Sequence, residues 1–416
     1  MPMSSPVRRP AGRVLSCLAA AAVLAGSAAG AGPADARNLK ELRGKLDAEH
    51  KKLGSASGAL IVDLTNGRTL FSRRADKVLS PASNEKLFTT AAALLQFGAD
   101  GTLKTDARIG ADSTVEDGVL DGDLYLVGAG DPSLNDVALK ALARTIVTKG
   151  KVTSIKGGIV GDETIFDTRR GGPDSGFAPD DDLGGQLGGL TWGHGRASPG
   201  GPATVAATRL EFFLKQLKVK VRKAPRAGDV DKAPGGPGST LGTAVSPPMS
   251  VLAATTNQPS DNFYAEMLLK GLGAHHGSAG TTAAGVKVAG AQLKTLGVQP
   301  KIVDGSGLSR KDKASPRQIV TFLKAMRESA VSEEFIGSLA VPGRIGTLAG
   351  RMRGTAADGR CQAKTGTLRG VSALSGYCRT VTDRIVAFSF LENNMDALSA
   401  KAVEDRMVPA IVSYKP

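Results

Sequence analysis

Three short runs of residues carry side chains that could do chemistry. Ser83-Asn84-Glu85-Lys86 sets a hydroxyl and an amine three positions apart, so a helix would bring Ser83 and Lys86 to one face. A Lys in a helix's first turn is electrostatically misplaced, because the N-terminus carries partial positive charge and prefers Asp or Glu. That field, together with burial, would lower the amine pKa until a neutral Lys86 accepts the Ser83 proton and makes the hydroxyl a nucleophile. Ser260-Asp261-Asn262 adds a second hydroxyl and an amide just before an apolar helical run at 263–269. Lys364-Thr365-Gly366-Thr367 falls in a predicted strand, where a Gly lets a ligand's backbone approach as an added strand while the ammonium binds an anion. Singly, each run also fits a plain structural part: a cap with a solvated Lys, an N-cap, and a common strand tetrapeptide.

The elements that must position these runs follow from hydrophobic spacing. Residues 37–53 read as an amphipathic helix, and 59–64 and 69–73 as strands around the turn Thr65-Asn66-Gly67-Arg68. The helix carrying Ser83 and Lys86 has Ser80 as cap, Pro81 at its first position, and Leu87, Thr90, Ala91 and Leu94 on one buried stripe. From 104 to 243 short β-like runs alternate with Gly/Asp turns, and 171–202 and 224–238 are rich in Gly and Pro, which predicts a β-rich insert with mobile loops. Helical spacing returns at 250–256, 262–272, 283–296 and 316–328. The chain ends with strands at 360–368, 371–380 and 384–391 and a helix at 397–412. The expected fold class is α/β (α+β): one antiparallel sheet built from both parts of the chain and flanked by helices. The predicted division is 1–31 as a signal peptide, 37–103 with 244–416 as a discontinuous catalytic domain, and 104–243 as the insert.

With 416 residues, 41% of them hydrophobic and 22% charged, the chain is long enough for more than one folding unit and too apolar for wholesale disorder. The net charge of +14 admits nucleic acid or an anionic surface as partner. Arg8, Arg9 and Arg13 before the apolar stretch 14–29 and the small residues Ala29-Gly30-Ala31 have the layout of a secretory signal. The stretch is too short to serve as a stable transmembrane anchor. Its removal takes away three Arg and no acid, lowering +14 to +11 on a protein expected in a periplasm or extracellular wall zone. Nucleic acid is then excluded, and anionic cell-wall polymers become the partner that this charge suits. Cys17 stands too early in the apolar run to be a lipidated terminus. Export permits disulfides, and a hairpin turning at Arg369-Gly370 would set Cys361 opposite Cys378. Two buried free thiols are the alternative.

Taken together and in this order, the three runs resemble the Ser-x-x-Lys, Ser-x-Asn and Lys-Thr-Gly motifs of penicillin-binding proteins and serine β-lactamases. Pro81-Ala82-Ser83, Gly122-Asp123-Leu124-Tyr125-Leu126-Val127-Gly128, Gly130-Asp131-Pro132, Ser246-Pro247-Pro248, Asp304-Gly305-Ser306-Gly307-Leu308-Ser309 and Ser375-Gly376-Tyr377 narrow the likeness. They resemble the D-alanyl-D-alanine carboxypeptidase/endopeptidase family, the class C penicillin-binding proteins of peptidase family S13. That family carries inserted domains between its first two motifs, where class A β-lactamases have a much shorter segment. Here Phe166-Asp167 leads to Gly176-Phe177 instead of the Gly-Trp usual in relatives, and Ile345 precedes Gly346-Thr347-Leu348 where a polar residue is common.

The resemblance implies acyl transfer to Ser83 from the bond between the terminal D-alanines of peptidoglycan stem peptides, with β-lactam antibiotics as acylating mimics. It assigns Lys86 as base, Ser260 with Lys364 to a proton relay, and Asn262 to the substrate amide and to Lys86. Thr365, Gly366 and Thr367 would hold the substrate carboxylate and backbone. Asp167 resembles an acidic position that meets the amino group of the stem side chain, although a loop Asp reads equally well. The oxyanion would lie between the N–H groups of Ser83 and Thr367. No cofactor and no metal are expected: His50, His194, His275 and His276 have no ligand-spaced Cys or acid, and the adjacent pair reads as a loop feature. The Asp304–Ser309 run reads as a turn near the site. The alternatives are a serine β-lactamase and a non-catalytic peptidoglycan-binding protein of the same fold.

Overall fold

The structure, a computed structural model, describes residues 33–196 and 199–416. The predicted signal peptide and Cys17 lie outside the described residues. A five-stranded antiparallel sheet orders its strands Cys361–Leu368, Val371–Arg379, Ile385–Asn393, Ser57–Asp63 and Arg68–Arg73. Strands from both parts of the chain meet where Ser57 pairs with Glu392 and Asp63 with Val386. Strand residues point alternately to opposite faces, and here both faces are covered, so the three inner strands are buried almost throughout. Leu60, Ala387 and Leu391 pack on one side with Leu87, Phe88, Phe322 and Leu323. Ile61, Phe388 and Phe390 pack on the other with Leu42 and Leu46 of the helix Pro33–His50 and Val403, Met407 and Ile411 of the helix Ala397–Val412. The sheet is thus the middle of three layers.

The helix that carries Lys86 runs Glu85–Phe97 and is buried on every side from Glu85 to Leu94, wider than the predicted stripe. Its start also differs from expectation. Ala82 has φ +45°, which no helical first turn tolerates, so Ala82–Asn84 form a separate 3-10 turn and the helix begins after it. Ser80 is no cap: its N–H donates to Asn393 Oδ1 and its carbonyl accepts from Asn393 Nδ2.

The segment read as a β-rich insert is mixed α/β. Its main sheet orders Arg226–Gly228, Ile159–Asp162, Leu124–Val127, Lys104–Gly110 and Pro237–Val245, with the first three strands parallel. Parallel strands need crossover connections, and the helix Asp136–Thr148 supplies one. It is capped by Asn135, whose side chain accepts from Val137 and Ala138 N–H, and it buries Leu139, Leu142, Ala143 and Ile146 at helical spacing. A second helix, Gly201–Gln216, joins the same core through Ala203, Ala206 and Leu210. The return strand ends at Val245, two residues beyond the predicted boundary. Two-residue strands at Val115–Glu116, Val119–Leu120, Ser154–Ile155 and Lys220–Val221 form a further small sheet.

The helices Met249–Asn257, Asn262–His276, Thr282–Thr295 and Pro316–Arg327 fall where spacing predicts them. Between the two parts of the chain runs an irregular segment at 163–196. It packs Phe166, Leu183 and Leu187 against Phe263 and Met267 of the helix Asn262–His276. No helix among the described residues is long and apolar enough to cross a membrane.

Candidate active site

Ser83 sits in the 3-10 turn and Lys86 in the first turn of the helix that follows, and the two remain on one side, with Lys86 Nζ 3.0 Å from Ser83 Oγ. The strained turn is enclosed by backbone. A Cβ on Gly307, which has φ +80°, would lie 2.0 Å from the Ala82 carbonyl oxygen, and one on Gly366 would lie 2.8 Å from that of Pro81. The Asp304–Ser309 run and the Lys-Thr-Gly strand therefore both need Gly where they close on the turn. Asn84 fastens it from below, donating from Nδ2 to the Lys364 carbonyl at 3.0 Å.

Three acceptors surround Lys86 Nζ: Ser83 Oγ, Asn262 Oδ1 at 2.6 Å and the Ser306 carbonyl at 2.6 Å. Two of them accept only, whereas a serine hydroxyl both donates and accepts. A neutral amine satisfies this arrangement with its two N–H groups on Asn262 and Ser306 and its lone pair toward the Ser83 proton. Burial pushes the Lys86 pKa down to about 8, against the opposing pull of Asp304, Glu266, Asp261 and Glu85. Among the acids behind it, burial raises Glu85 well above its ordinary value and Glu266 to about 7, which weakens that pull by disfavouring their charged forms.

Asn262 opens its helix beside Asp261, whose side chain caps it by accepting from Tyr264 N–H at 2.9 Å. Ser260, in the left-handed region at φ +67°, turns the chain into that cap. The Asn262 amide spans two partners, since its Nδ2 donates to the Asp182 carbonyl at 2.7 Å.

Lys364 is fully buried and donates to the Thr365 carbonyl at 3.0 Å. Burial first, and then the nearby charge of Lys86, hold its pKa well below the ordinary lysine value. Among the described residues no hydrogen bond joins it to Ser260. Ala363 exchanges both its backbone bonds with Ala340 on the outer side of the edge strand. Antiparallel alternation then turns the N–H and C=O of Thr365 and Thr367 to that same outer side, toward the cleft. The Thr365 hydroxyl lies 2.8 Å from that of Thr347, and Thr367 is exposed. A cleft of about 660 Å³ adjoins the end of this strand, lined by Asp174, Asp180–Asp182, Leu308, Arg310, Leu368 and Arg369.

Asp167 is not brought into this cluster. Its carboxylate accepts from Lys270 Nζ at 2.6 Å, and the Lys270 side chain is 1% exposed, so the acid expected to meet a substrate amine already holds a buried lysine. The Cys361 and Cys378 sulfurs are bonded to each other across the hairpin that turns at Arg369-Gly370. Sequence reasoning missed the Ser306 carbonyl, Asn84, Glu266 and Thr347. Backbone acceptors carry no residue signature, and Glu266 acts only once folded, receiving the Gly305 and Ser306 N–H groups. Among the described residues no cluster of His, Cys, Asp or Glu suits a metal ion.

The fold is that of the penicillin-binding proteins: penicillin binding protein 4 of Haemophilus influenzae matches with a TM-score of 0.74, at 19% identity, over 89% of this chain and 99% of that one. The model of the D-Ala-D-Ala carboxypeptidase 3 (S13) family matches residues 42–184 and 202–413. The chain is 31% identical to the D-alanyl-D-alanine carboxypeptidase of Actinomadura sp. (strain R39), covering 94% of this chain and 88% of the relative. It is 27% identical to carboxypeptidase DacB of Mycolicibacterium smegmatis, over 85% and 79%. The chain belongs to the S13 family of serine-type D-Ala-D-Ala carboxypeptidases.

Proposed function

We propose that the enzyme cleaves the D-Ala-D-Ala bond of peptidoglycan stem peptides through an acyl-enzyme on Ser83. The observation that carries this is the coordination of Lys86, whose two acceptor-only partners leave the third direction for the Ser83 proton. Ser83 Oγ attacks the carbonyl of the penultimate D-alanine as its proton passes to Lys86 Nζ. The oxyanion takes hydrogen bonds from the Ser83 and Thr367 N–H groups, the latter on the open strand edge. The substrate lies along that edge as an added strand, with its terminal carboxylate at the Thr365 and Thr367 hydroxyls over Gly366. The proton held on Lys86 passes through the Ser260 hydroxyl, with Lys364 beside it, to the D-alanine amine as the C–N bond breaks; water then adds to the acyl carbon, gives a proton to the neutral Lys86, and that proton returns to Ser83 Oγ as the ester bond breaks. Lys364 takes up that relay by rotating away from the Thr365 carbonyl. A cross-bridge amine as leaving group gives endopeptidase action by the same steps.

The chain acts outside the cytoplasm in this reading, carried there by residues 1–31, where its basic surface meets anionic wall polymers. A solved relative of this fold, a predatory endopeptidase of Bdellovibrio bacteriovorus, is described as acylated by penicillin G. Brief exposure to benzylpenicillin followed by intact-mass measurement tests the nucleophile. A stable adduct in the wild type that is lost in Ser83→Ala is expected, and an adduct retained by Ser83→Ala refutes the assignment.

A further inference from the structure

His194 belongs to none of the three motifs, yet its ring reaches the second of them. It sits at φ +63° in the irregular segment, its ring tilted against that of Phe263 with centroids 4.5 Å apart. Its Nδ1 lies 3.0 Å from the Gly184 carbonyl oxygen and its Nε2 lies 2.8 Å from Asp261 Oδ2. Carbonyl and carboxylate both only accept. A neutral imidazole has a single N–H and would turn a lone pair toward one of the two oxygens, so both contacts are hydrogen bonds only in the imidazolium.

The two partners flank Asn262. Asp261 precedes it and caps its helix, and Gly184 lies two residues beyond Asp182, whose carbonyl receives Asn262 Nδ2. The orientation of that amide matters for the chemistry. Turned over, Nδ2 would donate into the lone pair that a neutral Lys86 needs for the Ser83 proton. The Asp182 carbonyl offers Nδ2 an acceptor on the far side, which keeps Oδ1 toward Lys86.

We propose that His194 is a positioning residue: as an imidazolium it pins the Asp182–Gly184 turn to Asp261 and so keeps the Asn262 amide oxygen on Lys86. The proposal rests on the reading of Lys86 as base. The titratable and charged groups that face His194 are Asp261 and Tyr264 from the helix start, Asp180 and Asp181, which share with it the lining of a separate pocket of about 490 Å³, and Arg196 from its own loop. Asp261 is the one in hydrogen-bond contact with the ring, and that bond raises the imidazole pKa above its ordinary value. The brace is therefore complete below the ordinary histidine pKa and is lost as pH rises through the raised one.

The test is the second-order rate of benzylpenicillin acylation across the imidazole titration for wild type, His194→Phe and His194→Gln. Phe keeps an aromatic ring against Phe263 and loses both donors, whereas Gln keeps one donor near the Nε2 position. His194→Phe is expected to be slower by about tenfold on the acid side, as for loss of an orienting partner. That deficit closes toward high pH, and His194→Gln falls between. The ratio of wild type to variant cancels the titration of Lys86, which both share. Equal rates at every pH, a deficit that pH leaves unchanged, or a faster variant would each overturn the proposal. Should His194→Phe not fold, nitrogen NMR of the wild-type ring decides: two protonated nitrogens below the ordinary histidine pKa support the brace, and a neutral tautomer there overturns it. Ser83→Ala in the same assay separates the underlying reading, since acylation retained there refutes the site itself.

Discussion

Gly307→Ala is the substitution for which the structure gives the sharpest expectation. The new methyl would stand 2.0 Å from the Ala82 carbonyl oxygen and 2.5 Å from its carbon, where a real Cβ stays beyond 3.0 Å. Backbone on both sides leaves no flexible side-chain end to yield, so the turn before Ser83 must retreat by about 1 Å, a displacement that costs on the order of 100-fold when it falls on a reacting group. Holding Ala at φ +80° adds about 1–2 kcal/mol, and overpacking about 1–3 kcal/mol more, which together lower the melting temperature by several degrees. Acylation by benzylpenicillin, followed by intact mass over time, reads the first effect, and thermal melting reads the second. Gly290→Ala is the control: it lies within the helix Thr282–Thr295 with nothing near its Cβ, so the same change there should stabilise by up to about 1 kcal/mol and leave acylation alone. Acylation by Gly307→Ala within about threefold of wild type would refute the claim that this glycine fixes the nucleophile.

The acylation rate of His194→Phe, which has no imidazolium brace to lose, should rise about tenfold between pH 7 and 9, because the neutral fraction of an amine held near pKa 8 climbs from about a tenth to about nine tenths. A profile flat over that range would remove Lys86 as base. Replacing both Cys361 and Cys378 by Ser should cost about 3 kcal/mol, the value for a closed loop near their separation of 17 residues, and appear as a lower melting temperature that reductant no longer changes. Asp167→Asn leaves Lys270 buried without its carboxylate and should cost about 3 kcal/mol in denaturant unfolding. Unchanged stability with weakened binding of amine-bearing substrates would return Asp167 to a role in recognition.

The sheet was legible because its strands are short, largely apolar runs and because turn chemistry at Asn66-Gly67 and Arg369-Gly370 bounds them. The hairpin arithmetic placed Cys361 against Cys378, and the structure has that pairing. What failed did so where a non-local constraint overrides a local one. Pro81 after Ser80 reads as a helix start, but the approach of Gly307 and Gly366 holds Ala82 at positive φ and pushes the helix back to Glu85. The stripe Leu139, Leu142, Ala143 and Ile146 has helical spacing and an Asn135 cap, and the Gly and Asp turns around it masked both. At the site, the side chains announced themselves by type and spacing. The Ser306 and Asp182 carbonyls had no such signature, because any residue supplies a carbonyl and only the fold decides where it points.

The pairing of Ser57–Asp63 with Ile385–Asn393 bears on the order of folding during synthesis. Ser83 and Lys86 leave the ribosome early, but the strand bearing Lys364 and its neighbours follow some 280 residues later, as the Asn84 bond to Lys364 spans. The segment between has its own sheet and core and forms its contacts first, while the outer sheet waits on closure of a very long loop. Until Ile385–Asn393 inserts beside Ser57–Asp63, Lys86 is a solvated, charged lysine and Ser83 an ordinary alcohol. A nascent chain that ends before Ile385–Asn393 is therefore expected to be inert toward acyl donors.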